Sequence, residues 1–420
     1  MVRVLRAAAF AAVLIAVILA RQAGGAEPAE EDTASQAGLE ELDREDYAGA
    51  EAALSKAVAQ DPEDYAAWFN LAFARTMLGN RAQAITDYEK VLALSPGLYE
   101  AQLNLGIVLI QAKETDRAVP LLEAAAASKP GEFRPNYYLA EALYDCGDDA
   151  GAEQYYTKAT GIDPAAPDAQ IGLGRARANQ GKMEEALPCY RRAAQIDPEY
   201  RPFLIEFASR LEEKGRDQEA IPLYREFPGV AEAEERLGHL LLKAGQAAEA
   251  LPHLRQAVES SPTRANRFAL AIAYDRTDEP DNAVAQLDLA LEEDPGNFDL
   301  LMMKGRIRRD QRKSALAAQT FLDAARLRPD ALEAWRELAG MLILIEDYPR
   351  ALAALDRLEV LGDPLPAVHF WKALAFDNQK MYKEALASYE RYLELAAGTA
   401  PDEEFKARER AKTIRKELSR

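Results

Sequence analysis

A 34-residue period constrains this chain more than any other feature of its sequence. Pro62, Pro96, Pro130, Pro164 and Pro198 follow one another at that spacing, and each closes a stretch with the same pattern; Pro262, Pro295 and Pro329 continue the series. Within residues 167 to 198, two short segments show apolar or small residues three and four apart, with Leu173 and Gly174 in the first and Ala186, Tyr190 and Ala193 in the second. Each segment reads as a helix with one buried stripe. Two helices of about a dozen residues cannot enclose a core of their own, so each pair has to lean on its copies.

The copies agree in phase. A small residue recurs as Ala50, Ala84, Ala118, Ala152, Ala186, Ala220, Ala250, Ala283, Ala317, Ala351 and Ala385. Four residues later stands a large apolar side chain: Leu54, Tyr88, Leu122, Tyr156, Tyr190, Tyr224, Leu254, Leu287, Phe321, Leu355 and Tyr389. On these positions the sequence resembles the tetratricopeptide repeat family over residues 31 to about 399. The resemblance implies an all-α fold, a right-handed α-solenoid of about eleven helix-turn-helix repeats spanning residues 36–399, with a C-terminal capping helix at 400–420. Trp68 and Leu71 match the opening of the family's pattern, although Ala72 replaces its glycine; Trp335 takes the same place, and Trp371 is shifted from it.

Physical reasons accompany the pattern. The alanine lets two helix backbones approach, and one more side chain there would overpack the contact by about 1–3 kcal/mol. Gly106, Gly174, Gly238 and Gly305 do the same for the first helix, and Gly79, Gly147, Gly181, Gly215 and Gly245 sit where a left-handed residue ends it. The proline stops the second helix and pushes its predecessor, Asp61, Asp163, Asp197 or Asp294, out of the helical region. In the sixth unit Pro228 and Gly229 fall four and five residues after Tyr224. A proline inside a helix costs about 3 kcal/mol, so that helix should stop short and leave the array irregular at 225–231. The break either divides the array into two arms or is a tolerated deletion.

Residues 1–26 depart from the pattern. Arg3 and Arg6 precede an apolar run from Ala7 to Ala20, and Gly24 and Ala26 supply small residues before Glu27. Fourteen helical residues reach about 21 Å, short of the roughly 30 Å hydrocarbon layer. The segment reads as a signal peptide cut before Glu27, or as an uncleaved amino-terminal anchor. It places the protein outside the cytoplasm, periplasmic or extracellular, with membrane contact only through that segment. Residues 27–35 are acidic and small and read as a disordered lead.

The net charge of −19 excludes nucleic acid and anionic lipid as bulk electrostatic partners. His239, His253 and His369 lie far apart with no partner at metal-ligand spacing, and no phosphate loop or nucleophile elbow occurs, so no cofactor, metal or catalytic residue is assigned. Cys146 and Cys189 read as two separate thiols, since nothing in their spacing places them in bridging reach. After Pro401 a charged helix carries Phe405, Ile414 and Leu418 on one side and a basic cluster from Lys406 to Lys416, which forms either a solvated cap face or a contact for an anionic partner.

Function therefore falls to the surface. In arrays of the resembled family the first helices line a concave groove that binds partner proteins or peptides, and its usual positions transfer to Phe69, Phe73, Leu103, Ile107, Ile110, Tyr137 and Tyr144, with Met302, Arg306 and Arg309 in the later units. These residues either present an apolar strip to an extended or helical ligand or pack against neighbouring helices. Asn70 and Asn104 recur as in family members that clasp a terminal carboxylate, but their neighbours are apolar where basic residues are needed. The expectation is a noncatalytic interaction scaffold, with a membrane-tethered assembly or secretion factor as the alternative and an enzyme-regulatory subunit as the contrasting class.

Overall fold

The computed structural model describes residues 33–396 and 398–419, so the leader 1–26 lies outside the described residues. Every regular element among them is helical, and the chain divides into two compact units, up to Arg216 and from Asp217 onward. The first unit runs α1 (Thr33–Asp43), α2 (Tyr47–Gln60), α3 (Tyr65–Met77), α4 (Arg81–Leu94), α5 (Tyr99–Ala112), α6 (Thr115–Ser128), α7 (Phe133–Asp145), α8 (Asp149–Ile162), α9 (Pro167–Asn179), α10 (Met183–Ile196) and α11 (Phe203–Glu213). The second runs α12 (Asp217–Tyr224), α13 (Ala231–Lys243), α14 (Ala247–Ser260), α15 (Arg264–Arg276), α16 (Pro280–Glu293), α17 (Phe298–Asp310), α18 (Ser314–Leu327), α19 (Leu332–Leu344), α20 (Tyr348–Val360), α21 (Ala367–Asn378), α22 (Tyr382–Ala396) and α23 (Pro401–Leu418). Within each unit consecutive helices pack in order, each pair against the next, which is the arrangement of an α-solenoid.

The repeated residues set the spacing inside each pair. A Cβ on Gly106 would stand 2.6 Å from Leu122 Cγ, and one on Gly305 would stand 2.5 Å from the Phe321 ring, so the first helix of these pairs has no room for even a methyl group. Where the first helix offers alanine instead, as at Ala72 and Ala339, that residue is wholly buried. Each closing proline is preceded by a helix that ends two residues earlier, as at Gln60 before Pro62 and Leu327 before Pro329. The aspartates before Pro62, Pro164 and Pro198 have a second job that their spacing did not suggest. Their Oδ1 atoms accept the backbone N–H two residues on, from Glu63 at 3.0 Å, Ala165 at 2.9 Å and Glu199 at 2.9 Å, which closes the turn between units. Trp68 and Trp335 play one role in two units: each indole Nε1 donates to the carbonyl of the preceding closing proline, at 3.0 Å to Pro62 and 3.1 Å to Pro329.

The five turn glycines expected to be left-handed have φ between 71° and 83°. In other units Glu45, Lys113, Asp278, Arg312, Glu346 and Lys380 adopt the same conformation without being glycine, at about 1–2 kcal/mol each. The geometry of the hairpin, fixed by packing on both sides, overrides residue preference there.

Several expectations need correction. Helix α1 starts at Thr33, so the last three residues of the expected disordered lead are helical. The short second helix of the sixth pair is confirmed at 8 residues, ending at Tyr224 before a left-handed Gly229, but the boundary between units falls earlier, between Arg216 and Asp217. That irregular loop is held from within the second unit. The buried carboxylate of Glu234 accepts the Gly229 N–H at 2.8 Å and bonds His253 Nδ1 at 2.5 Å. Finally, α23 packs through Glu404, Ala407, Ala411 and Ile414, whereas Phe405 is 64% exposed and Leu418 is also exposed. The small side chains let α23 lie close against α22, and Glu404 turns inward because the N–H groups of Gly398 and Ala400 and the guanidinium of Arg408 need its oxygens.

Candidate functional site

The first helices were expected to display an apolar strip, and the structure places most of it inside. Phe69, Leu103 and Ile107 are buried in one core cluster, Phe73 is buried in another against Tyr47, and Met302 is buried beside Phe321. These five side chains contact neighbouring helices, which corrects their assignment as a partner-binding strip. The cause is geometric: a first helix has its own partner helix, the preceding pair's second helix and adjacent first helices as neighbours, so one buried stripe is too few. Helix α5 shows this, with nine buried residues from Tyr99 to Leu109. Its run LNLGIVLI, apolar on every side except at Asn104, held the signal of a surrounded helix. Asn104 is wholly buried too, so it does not clasp a ligand's carboxylate.

Ile110, Tyr137 and Tyr144 remain partly exposed. Tyr137 and Tyr144 sit in a polar and aromatic patch on the first helices of the fourth to sixth pairs, α7, α9 and α11, which sequence periodicity did not single out. Arg175 on α9 donates through Nε to Glu206 on α11 at 2.9 Å and lies over the Phe203 ring at 5.1 Å. Arg210 donates to Asn179 at 2.7 Å and reaches Glu206 at 3.4 Å. Tyr137 stacks on Phe133, with centroids 5.4 Å apart, and meets Tyr138 and Tyr156 edge-on. Burial would raise the Glu206 carboxyl, but the guanidinium groups of Arg175 and Arg210 hold it below the ordinary glutamate range. Glu153 on α8 is depressed in the same way, burial being outweighed by Lys182, Arg177 and Gln180.

Both carboxylates give acid sensitivity of defined sign. A group whose folded pKa lies below its unfolded one contributes stability that is complete above the unfolded value and is lost as pH falls through the folded value. Stability of the first unit is therefore expected to hold from pH 7 to about 5 and to decline below about 4.3. Denaturant titrations across that range check this, and Glu206→Gln should flatten the decline; a loss of the first unit's stability already starting near pH 6 would contradict it.

Arg134 is different from these arginines. It lies in the first turn of α7 and is partly buried, yet among the described residues it has no side-chain hydrogen bond and no carboxylate within ion-pairing distance, although the field of Glu132 reaches it. Glu132 itself accepts the Tyr99 hydroxyl at 2.7 Å. Burial lowers the Arg134 pKa, the mark of a cation that gives up hydration without a full partner. In the second unit other first-helix arginines are satisfied: Arg306 pairs with Glu333, Arg309 with Glu337 at 2.6 Å and Asp310 at 3.0 Å, and Arg336 with Asp363 through two bonds of 2.6 and 2.7 Å. Arg276 donates to the Leu242 carbonyl at 3.1 Å. Arg306 and Arg309, expected to meet a ligand, are engaged in ion pairs that link α17 to α19.

No cluster of three or more histidine, cysteine, aspartate or glutamate side chains among the described residues is arranged to hold a metal ion. Cys146 and Cys189 are free thiols, one exposed and one buried.

Models of the tetratricopeptide repeat match residues 35–99, 75–144, 134–165, 167–200, 241–307, 302–366 and 345–400. The chain belongs to the tetratricopeptide repeat family. Tetratricopeptide arrays are protein-interaction scaffolds, typically without catalysis. Among solved structures, this array is similar to MamA 41-end from Desulfovibrio magneticus RS-1, at 22% identity over 41% of this chain and 98% of that one, with a TM-score of 0.40. It is also similar to MamA MSR-1 C2, at 24% identity over 40% and 97%, with a TM-score of 0.38. No curated protein matches the chain.

Proposed function

We propose that this chain is a noncatalytic scaffold that binds a partner peptide or helix along the first-helix face of its fourth to sixth repeats, with Arg134 receiving a carboxylate of the partner. The observation behind this reading is the guanidinium of Arg134, unpaired among the described residues and half-sheltered among Tyr99, Tyr138 and Glu132, while Arg175 and Arg210 on the following first helices are neutralised. An incompletely satisfied cation costs stability, and a carboxylate ligand would return that cost as affinity through a charge-assisted bond. Tyrosine and arginine are also the residue types that concentrate binding energy at interfaces, and Tyr137 and Tyr144 stand on the same helix.

Quantitative capture from the native host with wild type, Arg134→Glu and Arg192→Glu tests the proposal. Arg192 is an exposed residue on the second helix α10. Arg134→Glu is expected to lose partner recovery by about tenfold or more, as removal of a charge-assisted contact of about 1.5–3 kcal/mol implies, while Arg192→Glu retains it. Equal recovery by all three removes the proposed surface.

The leader supports a second part of the proposal, that the chain works outside the cytoplasm, periplasmic or extracellular. Arg3 and Arg6 before the Ala7–Ala20 run are the grounds for it. Cleavage before Glu27 would release a soluble scaffold, whereas a retained leader would make the chain a membrane-tethered assembly or secretion factor of the cell envelope. Intact mass of the exported protein separates these outcomes, and a mature chain still beginning at Met1 rules out the cut.

A further inference from the structure

The closing helix α23 leaves a cleft of about 540 Å³ beside the last pair, between α21 and its own first turns. Phe370 and Leu374 of α21 and Tyr389 of α22 supply its apolar surface, and Phe370 meets Tyr389 edge-on and Tyr392 at a tilt, with centroids 6.2 and 5.1 Å away. Its polar rim is cationic. Arg410 of α23 clamps Asp377 through two bonds of 2.6 and 2.7 Å, and Tyr389 points its hydroxyl at the same carboxylate from 3.4 Å. Lys380, in the left-handed turn, and Lys406, on α23, also line the cleft, and neither pairs with a carboxylate among the described residues. One arginine and two lysines thus face a single aspartate, so the cleft is positive although the chain carries −19 overall.

Two features set this cleft apart from a plain solvated cap face. Its arginine is engaged by Asp377 through two bonds, which fixes the wall, while Lys380 and Lys406 are exposed. The apolar floor lies partly exposed between them. The combination matches an acidic peptide that carries an apolar side chain.

We propose that this cleft is a second docking site, for an acidic segment of a partner protein, with an apolar side chain of the segment on Phe370 and Leu374 and flanking carboxylates on Lys380 and Lys406. The site is independent of Arg134 and stands or falls separately. Charge complementarity selects the acidic occupant. A partner peptide suits the site better than a bilayer, whose anionic face is repelled by the net charge of −19 on the chain.

Fluorescence anisotropy on the full chain tests it with a labelled peptide that has phenylalanine and leucine at its centre and aspartates and glutamates on both sides. Saturable binding is expected for wild type and Lys412→Glu, a surface change on α23 outside the cleft. About tenfold or greater weakening is expected for Lys380→Glu and for Lys406→Glu, both exposed positions that leave the core untouched, as circular dichroism would verify. The same peptide with asparagine and glutamine in place of its acids should also bind more weakly. Absence of saturable binding to wild type, equal binding by the Lys406→Glu variant, or retention on phosphatidylglycerol vesicles in preference to the peptide would each overturn the proposal.

Discussion

Replacing Phe321 by alanine is expected to lower the unfolding free energy by about 3–5 kcal/mol, the range for removing a fully enclosed aromatic ring. Phe321 has no exposed surface, and its ring fills the hollow that Gly305 leaves on α17. The two positions are complementary, which provides a sharper test than the single variant. A Cβ at residue 305 would lie 2.5 Å from the ring, so Gly305→Ala alone should cost about 1–3 kcal/mol by overpacking. In a Phe321→Ala background the same methyl group enters the vacated space, and Gly305→Ala should become close to neutral. Denaturant unfolding of the four proteins measures the coupling. Additive costs would show that the small-to-large pairing does not set the helix spacing.

The second large effect is expected at Asp87. Its side chain is almost completely buried and receives Arg75 Nη1 at 2.7 and 2.9 Å, while Arg75 Nε also reaches Glu51 at 2.9 Å. Asp87→Ala strands a guanidinium that is only 17% exposed, and removing one partner of a buried pair costs about 3–5 kcal/mol. Because Glu51 still holds one edge of Arg75, a value near the lower end of that range is expected. Replacing both residues, Arg75→Met with Asp87→Leu, should recover most of the loss, since nothing charged is then left without a partner. Trp68 shares a small cleft with Arg75 and Asp87, so its emission reports the local change directly. A cost below about 1 kcal/mol for Asp87→Ala would place this pair with ordinary surface ion pairs.

Much of the fold was legible because one constraint repeats. The alanine at Ala317 and the ring at Phe321 recur at fixed phase along the chain, and each fixes one helix crossing, so the period alone defines pairs, order and turns. The closing prolines and turn glycines were readable for the same reason: their backbone restrictions act within a few residues. The interaction surface was less legible. Phe69, Leu103 and Ile107 looked available only under the assumption of one buried stripe per helix, and the number of neighbours around a first helix is a property of the stack, invisible in one unit. Likewise Phe405 and Leu418 were assigned to the packed side of α23 by size, whereas close approach selected Ala407 and Ala411. Arg134 escaped notice because its distinction is the lack of a partner. Finding it requires knowing that Glu132 is engaged by Tyr99, 33 residues away.

The central claim is that partners engage the first-helix face of repeats four to six. Hydrogen exchange on the partner-bound and free protein measures this most directly, because amide protection maps contact and local ordering along the chain. The account predicts added protection confined to Phe133–Asp145, Pro167–Asn179 and Phe203–Glu213, with the second helices Asp149–Ile162 and Met183–Ile196 unchanged. Protection that falls on those second helices, or none in residues 133–213, would contradict it.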